Sequence, residues 1–261
     1  MTGTLYLVPT PLDFGCLPGS GDAAALTDTL PEGTLRTTAG ITHWVTENAK
    51  STRAFLKRVS LTHPLACPLQ EQRITEMPRQ MHKQGDHATD QGHEARARQL
   101  LQPALDGHDL GLVSEAGMPA IADPGSSVVR AAHAAGVPVV PLVGPVSLML
   151  ALAASGLHGQ HFCFVGYVPS DPGGRLKRIQ ALEQRATREG QTQILIETPY
   201  RNAALLQALI QVLQPRTRLA VCCGITLPRQ QVRSGTLADW RGHGWAAQLP
   251  LEQPSVFLIG A

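Results

Sequence analysis

Residues 110–125 run Leu110-Gly-Leu-Val-Ser-Glu-Ala-Gly-Met-Pro-Ala-Ile-Ala-Asp-Pro-Gly125 and indicate the fold class of the chain. The first five residues have the pattern of a buried β-strand, and a helical pattern begins at Ser126. A tight connection with Asp123 as a helix cap would need far fewer residues than 114–125. In open α/β sheets, loops after strands bind ligands, because glycine and small side chains expose backbone N–H and C=O groups. We therefore interpret residues 114–125 as a ligand-binding loop.

Strand and helix patterns alternate on both sides of this loop. Strands are predicted at 4–8, 43–46, 110–114, 137–142, 162–165, 192–196, 218–223 and 254–259, and helices at 49–59, 91–101, 126–135, 145–154, 175–189 and 202–213. This alternation predicts an α/β protein with a largely parallel sheet in its first part. Gly, His and Gln interrupt the apolar pattern at 156–160, so we predict two domains, residues 1–156 and 157–261. The polar segment 71–90 is predicted to be a mobile surface excursion, with the question of a lid left open.

The composition excludes several classes of protein. The chain has 261 residues, of which 43% are hydrophobic and 16% charged, so it can fill two cores and is not disordered. Aromatic residues make up 4%, so a stacking platform for single-stranded nucleic acid is not expected to be its main device. The net charge of +2 is too small to indicate a nucleic-acid-binding protein by itself. Residues 156–261 nevertheless carry 11 Lys and Arg against 6 Asp and Glu, which favours an anionic partner for the second half.

Common motifs for other chemistries are missing from the sequence. It contains no G-x-G-x-x-G after its first strand, no P-loop, no G-x-S-x-G and no H-E-x-x-H. The histidines at 82, 87, 93 and 108 have spacings that match no compact ligand pair, so we expect no metal. Five cysteines without a CxxC pair indicate a reducing compartment. The first nine residues lack the basic region of a signal peptide, and prolines and glycine interrupt the longest apolar run, 139–154. We expect a cytoplasmic protein that does not cross a membrane.

Several motifs occur in order along nearly the whole chain: Tyr6-Leu-Val-Pro-Thr-Pro-Leu12, the 113–125 block, Gly144-Pro145, Gly166-Tyr-Val-Pro169 and Ile196-Glu-Thr-Pro-Tyr-Arg201. With these motifs the sequence resembles the tetrapyrrole (corrin/porphyrin) methylase superfamily. Within it, the sequence is most similar to the branch of small-subunit ribosomal RNA 2′-O-ribose methyltransferase I. The resemblance implies a two-domain class III methyltransferase fold, with a mostly parallel first sheet and a mixed second sheet. It also implies a homodimer and S-adenosylmethionine bound in the cleft between the domains.

The resemblance also assigns site residues. Those implied to contact the methyl donor are Pro9, Thr10, Ser114, Glu115, Ala116, Gly117, Ile121, Ser147, Glu197, Thr198, Ile225, Pro254 and Ser255. Lys50 and Glu197 are candidates to orient or deprotonate an acceptor, with membership of a structural ion pair as the alternative for each.

Two motifs differ from those of the ribosomal RNA branch. Glu47-Asn-Ala-Lys50 stands where that branch has Glu-Asp-Thr-Arg, and Cys223-Gly-Ile-Thr-Leu227 stands where it has Arg-Glu-Leu-Thr-Lys. These changes leave three hypotheses for function. The first is methylation of ribosomal RNA ribose, the second is methylation of a small-molecule or tetrapyrrole-like acceptor, and the third is S-adenosylmethionine binding without catalysis.

A basic helix pattern in the second half suggests an RNA contact. Arg175, Lys177 and Arg178 follow a Gly-Gly turn and could meet phosphates, with a solvated helix face as the alternative. No aromatic residue is interleaved with them, which weakens the expectation of base recognition.

Overall fold

A computed structural model describes residues 2–13, 25–78 and 91–261, which form two compact units, Met1–Pro145 and Val146–Ala261. The first unit contains β1 (Leu5–Leu7), α1 (Glu32–Gly40), β2 (His43–Thr46), α2 (Ala49–Val59), β3 (Arg73–Glu76), α3 (Gln91–Leu100), α4 (Gln102–Leu105), β4 (Leu110–Val113), α5 (Ser126–Ala134) and β5 (Val139–Pro141). The second contains α6 (Ser147–Ser155), β6 (Phe162–Gly166), α7 (Pro172–Glu189), β7 (Thr192–Glu197), α8 (Pro199–Val212), β8 (Arg218–Cys223), β9 (Gln231–Thr236), α9 (Leu237–His243) and β10 (Ser255–Gly260).

The first sheet is entirely parallel, with strand order β3-β2-β4-β1-β5, which confirms the predicted parallel sheet. Because side chains alternate along a strand, neighbouring residues of β2 pack into different cores. Trp44 packs with α1 and α2 through Leu35 and Leu56, whereas Val45 packs with α5 through Val128. Helices therefore cover both faces of the sheet, and the carboxyl ends of all five strands meet at one edge.

The polar segment 71–90 differs in part from its prediction. Residues 73–76 form strand β3, which pairs in parallel with β2 at the edge of the sheet. Three of its four side chains are exposed, so no hydrophobic alternation revealed a strand there. Residues 79–90 of that segment lie outside the described part of the chain.

The second sheet is mixed, with strand order β6-β7-β10-β8-β9, as predicted. Only β6 and β7 are parallel neighbours, and the remaining pairs are antiparallel. Helices α7, α8 and α9 pack on one face, and α6 packs on the other through Leu148 and Leu152 against Ala220 and Leu258. Since α6 buries its apolar side on this sheet, it belongs to the second unit. The units divide after Pro145 rather than after residue 156, where the sequence predicted the boundary.

Candidate functional site

The loop that follows β4 has an unusual backbone. Four of its residues have a positive φ: Gly117 (78°), Ala120 (64°), Ala122 (65°) and Gly125 (135°). Glycine adopts this conformation freely, whereas each alanine there costs about 1–2 kcal/mol. Strain of this kind is concentrated at functional sites, because the surrounding structure must hold it in place.

Carboxylates surround this loop at the edge where β2, β3 and β4 end. Glu47 and Glu115 follow the ends of β2 and β4, and Glu76 is the last residue of β3. Burial, with the neighbouring charge of Glu47, raises the pKa of Asp123 from 3.8 to about 7, and Glu115 adds a smaller effect in the same direction. Asp123 is therefore close to half protonated at neutral pH. It does not cap α5, since Gly125 occupies the cap position without a side-chain hydrogen bond.

Asn48 joins two of these loops. Its Oδ1 accepts hydrogen bonds from the backbone N–H groups of Lys50 and Ser51, at 2.9 and 3.4 Å, and so caps α2. Its Nδ2 donates to Glu115 Oε1 at 2.7 Å. A neutral amide at this position satisfies the helix terminus and a carboxylate together, which a second carboxylate could not do.

The structure brings together the residues of the first unit that the resemblance implies for the methyl donor. Thr10 and Gly117 exchange two backbone hydrogen bonds of 3.0 Å, and Thr10 Oγ1 donates to the carbonyl of Ser114 at 3.4 Å. Ser114 Oγ is buried and forms no hydrogen bond of ordinary geometry, although it lies close enough to the Asp123 carboxyl to lower the pKa of that group. Pro9 is buried beside Thr10, Glu115 and Ala116 are half-buried, and Ile121 is 43% exposed.

Most of the implied residues of the second unit lie at one edge of its sheet. Ser255 pairs with Glu197 in β7 and with Cys223 in β8, and Gly224 N donates to the carbonyl of Pro254 at 2.8 Å. Thr198 follows Glu197, and Ile225 packs with the apolar side of α6, the helix that begins at Ser147. Ser147 is the first residue of α6, and this helix determines its position.

Among the buried polar side-chain atoms of the second unit that form no hydrogen bond, one lies next to Gly224 at this edge. Gln253 Oε1 forms no hydrogen bond within the described residues. It lies so close to Gly224 that a Cβ there would stand 1.8 Å from it. An unsatisfied buried carbonyl oxygen costs about 1–3 kcal/mol, so it favours a donor from a bound ligand.

The two candidate catalytic residues have different surroundings. Both oxygens of Glu197 accept from Arg201 Nη2, at 2.8 and 2.7 Å, and Oε1 also accepts from the backbone N–H of Thr198 at 2.8 Å. Glu197 is therefore a member of an ion pair that fixes the start of α8, and its lone pairs are committed to these donors. Lys50 lies exposed in the first turn of α2.

The basic helix predicted at 175–189 is α7, which begins three residues earlier at Pro172. Asp171 caps it by accepting from Gly174 N at 2.6 Å. Arg175 donates to the carbonyls of Pro169 and Ser170, at 3.2 and 2.7 Å, and thereby holds the loop before the helix. Lys177 is exposed and Arg178 is half-buried.

Sequence reasoning missed Glu76 and the electrostatic role of Asp123. Glu76 was hidden because β3 has no apolar pattern, and Asp123 was considered only as a helix cap. The signal for Asp123 was present, since a carboxylate among small and apolar residues in a loop that follows a buried strand is partly desolvated.

The described residues contain no helix that is long and apolar enough to cross a membrane and no group of three or more potential metal ligands. Of the histidines considered for a metal, His82 and His87 lie outside the described part of the chain.

Comparison with known proteins identifies the family. The sequence model of the family described as Tetrapyrrole (Corrin/Porphyrin) Methylases matches residues 47–240, and the chain belongs to this family. Relatives named Ribosomal RNA small subunit methyltransferase I include one from Xylella fastidiosa, 30% identical over 90% of this chain and 73% of its own length. Another, from Pseudomonas aeruginosa, is 36% identical over 54% of this chain. The match spans about half the length of that relative and of the one from Mesorhizobium japonicum, at 48% and 50%.

Solved structures agree with the fold. The methyltransferase CobJ superposes with a TM-score of 0.57 at 18% identity, over 99% of this chain and 94% of that one. The native form of uroporphyrin III C-methyl transferase from Thermus thermophilus has a TM-score of 0.52 at 17% identity, over 99% and 97%. The predicted two-domain tetrapyrrole-methylase fold is confirmed.

Proposed function

We propose that the protein is an S-adenosylmethionine-dependent methyltransferase that methylates ribose in ribosomal RNA. Membership of the tetrapyrrole methylase family carries this proposal, and the names of the relatives supply the ribosomal RNA substrate. The match covers only about half the length of the relatives from Pseudomonas aeruginosa and Mesorhizobium japonicum, so the substrate must be decided by experiment. A modification map of ribosomal RNA from cells lacking the gene should lose one ribose methylation, and an unchanged map would contradict the substrate.

The residues of both units have the chemistry that S-adenosylmethionine requires. Ser114 Oγ in the first unit and Gln253 Oε1 in the second are buried polar atoms suited to hydrogen bonds with its polar groups. The strained loop 114–125 offers small residues and backbone groups, and its carboxylates favour a cation. When bound, S-adenosylmethionine supplies a methyl group on a positively charged sulfur. The chain's contribution is to hold donor and acceptor in line at near-attack distance.

Asp123 provides a test of where the positive sulfur binds. A cation beside this carboxyl would lower its pKa from about 7 and cause it to release part of a proton at neutral pH. S-adenosylhomocysteine has no positive charge on sulfur and should release fewer protons. Calorimetric titration of both compounds in two buffers of different ionisation enthalpy measures this difference. Equal proton release for the two compounds would remove Asp123 from the sulfur site, and binding of neither would refute the methyltransferase proposal.

We propose that Lys50 orients the acceptor, because its side chain is exposed. Glu197 is the weaker candidate, since its carboxylate already accepts hydrogen bonds from Arg201 and from the backbone of Thr198. Lys50→Ala should therefore lower the methylation rate with donor affinity unchanged. Glu197→Gln should instead weaken donor binding by loosening the start of α8. The reverse pattern would exchange the two roles.

The proposed RNA contact uses Arg175, Lys177 and Arg178, of which Arg175 also holds its own loop. Lys177→Glu with Arg178→Glu should weaken RNA binding and reduce its dependence on salt, because fewer counterions are released. Arg185→Glu with Arg188→Glu is the matched control, because it makes the same change of charge at exposed positions farther along α7. An equal effect of the control would indicate general attraction by the helix rather than a contact.

We also propose a homodimer. The edge strand β5 and the loop after it expose Val140 (38%) and Val143 (70%), and apolar side chains at a sheet edge favour burial against another chain. Light scattering of the purified protein tests this, with Val143→Lys expected to shift the mass toward that of a monomer.

A further inference from the structure

The protein contains three tyrosines, and two of them are exposed at one edge of the second sheet. Tyr167 directly follows β6 and is 56% exposed, and Tyr200 lies in the first turn of α8 and is 83% exposed. Because β6 and β7 are parallel neighbours, the segments that follow them emerge at the same edge. Tyrosines placed at this edge and left in solvent contribute little to the core of the unit.

The backbone around both tyrosines is held in place. The pairing of β6 with β7 shifts register between Phe164 and Gly166, and Gly166 has a φ of 71°, so the chain turns sharply just before Tyr167. Beyond it, Arg175 anchors the loop through the carbonyls of Pro169 and Ser170. Tyr200 belongs to a helix whose start is fixed by the Glu197–Arg201 ion pair.

Arg201 follows Tyr200 in the first turn of α8 and interacts electrostatically with both tyrosines. Glu197 holds its guanidinium through two hydrogen bonds of 2.7 and 2.8 Å, and the pKa of Arg201 is raised by that carboxylate first and, to a smaller extent, by the phenols of Tyr200 and Tyr167. Both phenol groups are therefore close enough to interact with this guanidinium. This edge therefore carries two exposed phenol rings and a planar guanidinium that Glu197 holds in place.

Charge around this edge favours a polyanion. Helices α7 and α8 both begin at this edge, so Lys177 and Arg178 in the first two turns of α7 lie on the same side of the unit as Tyr200. The acidic groups at this edge are engaged with other groups: Asp171 caps α7, Glu197 binds Arg201, and Glu252 lies 3.4 Å from Arg229. Exposed aromatic rings on the same side of the unit as an exposed lysine and a half-buried arginine match an unpaired nucleic-acid strand, which presents bases for stacking and phosphates for ion pairing.

We infer that Tyr167 and Tyr200, exposed at the same edge of the sheet, form a stacking site for unpaired RNA bases, whose flanking phosphates contact Lys177 and Arg178. This site rests on the proposed RNA substrate and deepens it, because it specifies a single-stranded segment rather than a duplex. Bases of a duplex are stacked on one another and cannot reach the tyrosine rings.

Binding of a fluorescein-labelled single-stranded RNA of about 12 nucleotides, measured by anisotropy with the full chain, tests the site. Tyr200→Ala and Tyr167→Ala should each weaken binding about tenfold, because stacking on an aromatic ring contributes that much per base. Tyr200→Phe should bind like the wild type, since it retains the ring. Phe162→Ala is the matched control, because Phe162 is 38% exposed at the opposite end of β6.

An abasic strand of the same length separates stacking from charge. The abasic strand should bind the wild-type protein and the Tyr200→Ala variant with equal affinity. The Lys177→Ala variant should bind both the abasic and the base-containing strand more weakly than the wild type does. The site would be refuted if the alanine variants bound the base-containing strand like the wild type, or if Tyr200→Phe lost as much affinity as Tyr200→Ala. The assay involves no methyl transfer, so failure of this site is distinguishable from failure of the proposed methyltransferase function.

Discussion

Replacing Asp123 with asparagine should stabilise the first unit at alkaline pH and have little effect at acidic pH. In the folded chain the carboxyl has a pKa of about 7, against 3.8 for an unperturbed aspartate, because burial and Glu47 disfavour its charged form. Below pH 3.8 the group is protonated in both folded and unfolded chains. As pH rises from 3.8 to 7 the unfolded chain loses its proton first, so stability falls and remains lower above pH 7. Asparagine has nearly the shape of the protonated acid and does not ionise.

The structure sets the size of this effect. One unit of pKa difference corresponds to about 1.4 kcal/mol, so the full difference corresponds to about 4 kcal/mol. Partial solvent access to Asp123 reduces this, and we expect Asp123→Asn to gain about 2–4 kcal/mol at about pH 8.5 relative to about pH 4. Glu47→Gln should produce a smaller gain in the same direction, because it removes the like charge but not the burial.

Hydrogen exchange of peptides from β1 and β4 across a urea series measures the first unit without a contribution from the second. Asp28→Asn is the control, because Asp28 is exposed in the same unit. Comparing variant with wild type at each pH cancels the titration of all other groups that the substitution leaves unchanged. Equal stabilisation by Asp123→Asn at the two pH values would refute a raised pKa at Asp123 and, with it, the electrostatic account of the loop.

The remaining predictions concern strain, packing and a second titrating group. Ala122→Gly should raise the free energy of unfolding by about 1 kcal/mol, because glycine relieves the strain of the positive φ. If that strain shapes the loop, the variant should also bind the methyl donor more weakly. Calorimetry measures both the unfolding and the binding. Gly111→Ala should destabilise the first unit by about 1–3 kcal/mol in urea unfolding, because its Cβ would stand 2.4 Å from the Trp44 ring. The control is Gly33→Ala in α1, where the added Cβ meets no atom within 4 Å; this variant should be neutral or stabilising. Burial, His108 and Arg73 lower the pKa of His43, so the unfolded chain takes up a proton at a higher pH than the folded chain does. The wild type should therefore lose stability as pH falls below 6.5. His43→Gln should lose less stability over that range, which thermal unfolding measures.

Hydrophobic periodicity in the sequence determined the secondary structure where elements have a buried face. Helix α2 and strand β8 have the predicted bounds. The helix places its buried residues at helical spacing, and the strand is a short continuous apolar run from Leu219 to Cys223. The twelve-residue loop after β4 was also evident, since glycine and proline interrupt that period directly after a buried strand. These signals are local, so a single sequence contains them in full.

Polar elements and unit membership needed the tertiary structure. Strand β3 exists because β2 supplies hydrogen-bonding partners, although its own side chains have no apolar pattern. Helix α6 is apolar on most of its surface, so its sequence could not show which sheet it covers. The boundary between the units depends on that packing.

The chemistry of the candidate site depends most on the fold. The raised pKa of Asp123 arises from burial and from Glu47, which lies 76 positions earlier in the chain. In the same way, no aromatic residue is interleaved with the basic residues of α7 in the sequence, yet the parallel pairing of β6 and β7 brings Tyr167 and Tyr200 to the edge where that helix begins. Electrostatic and stacking interactions depend on distance in space, and only the tertiary structure brings together groups that are far apart along the chain.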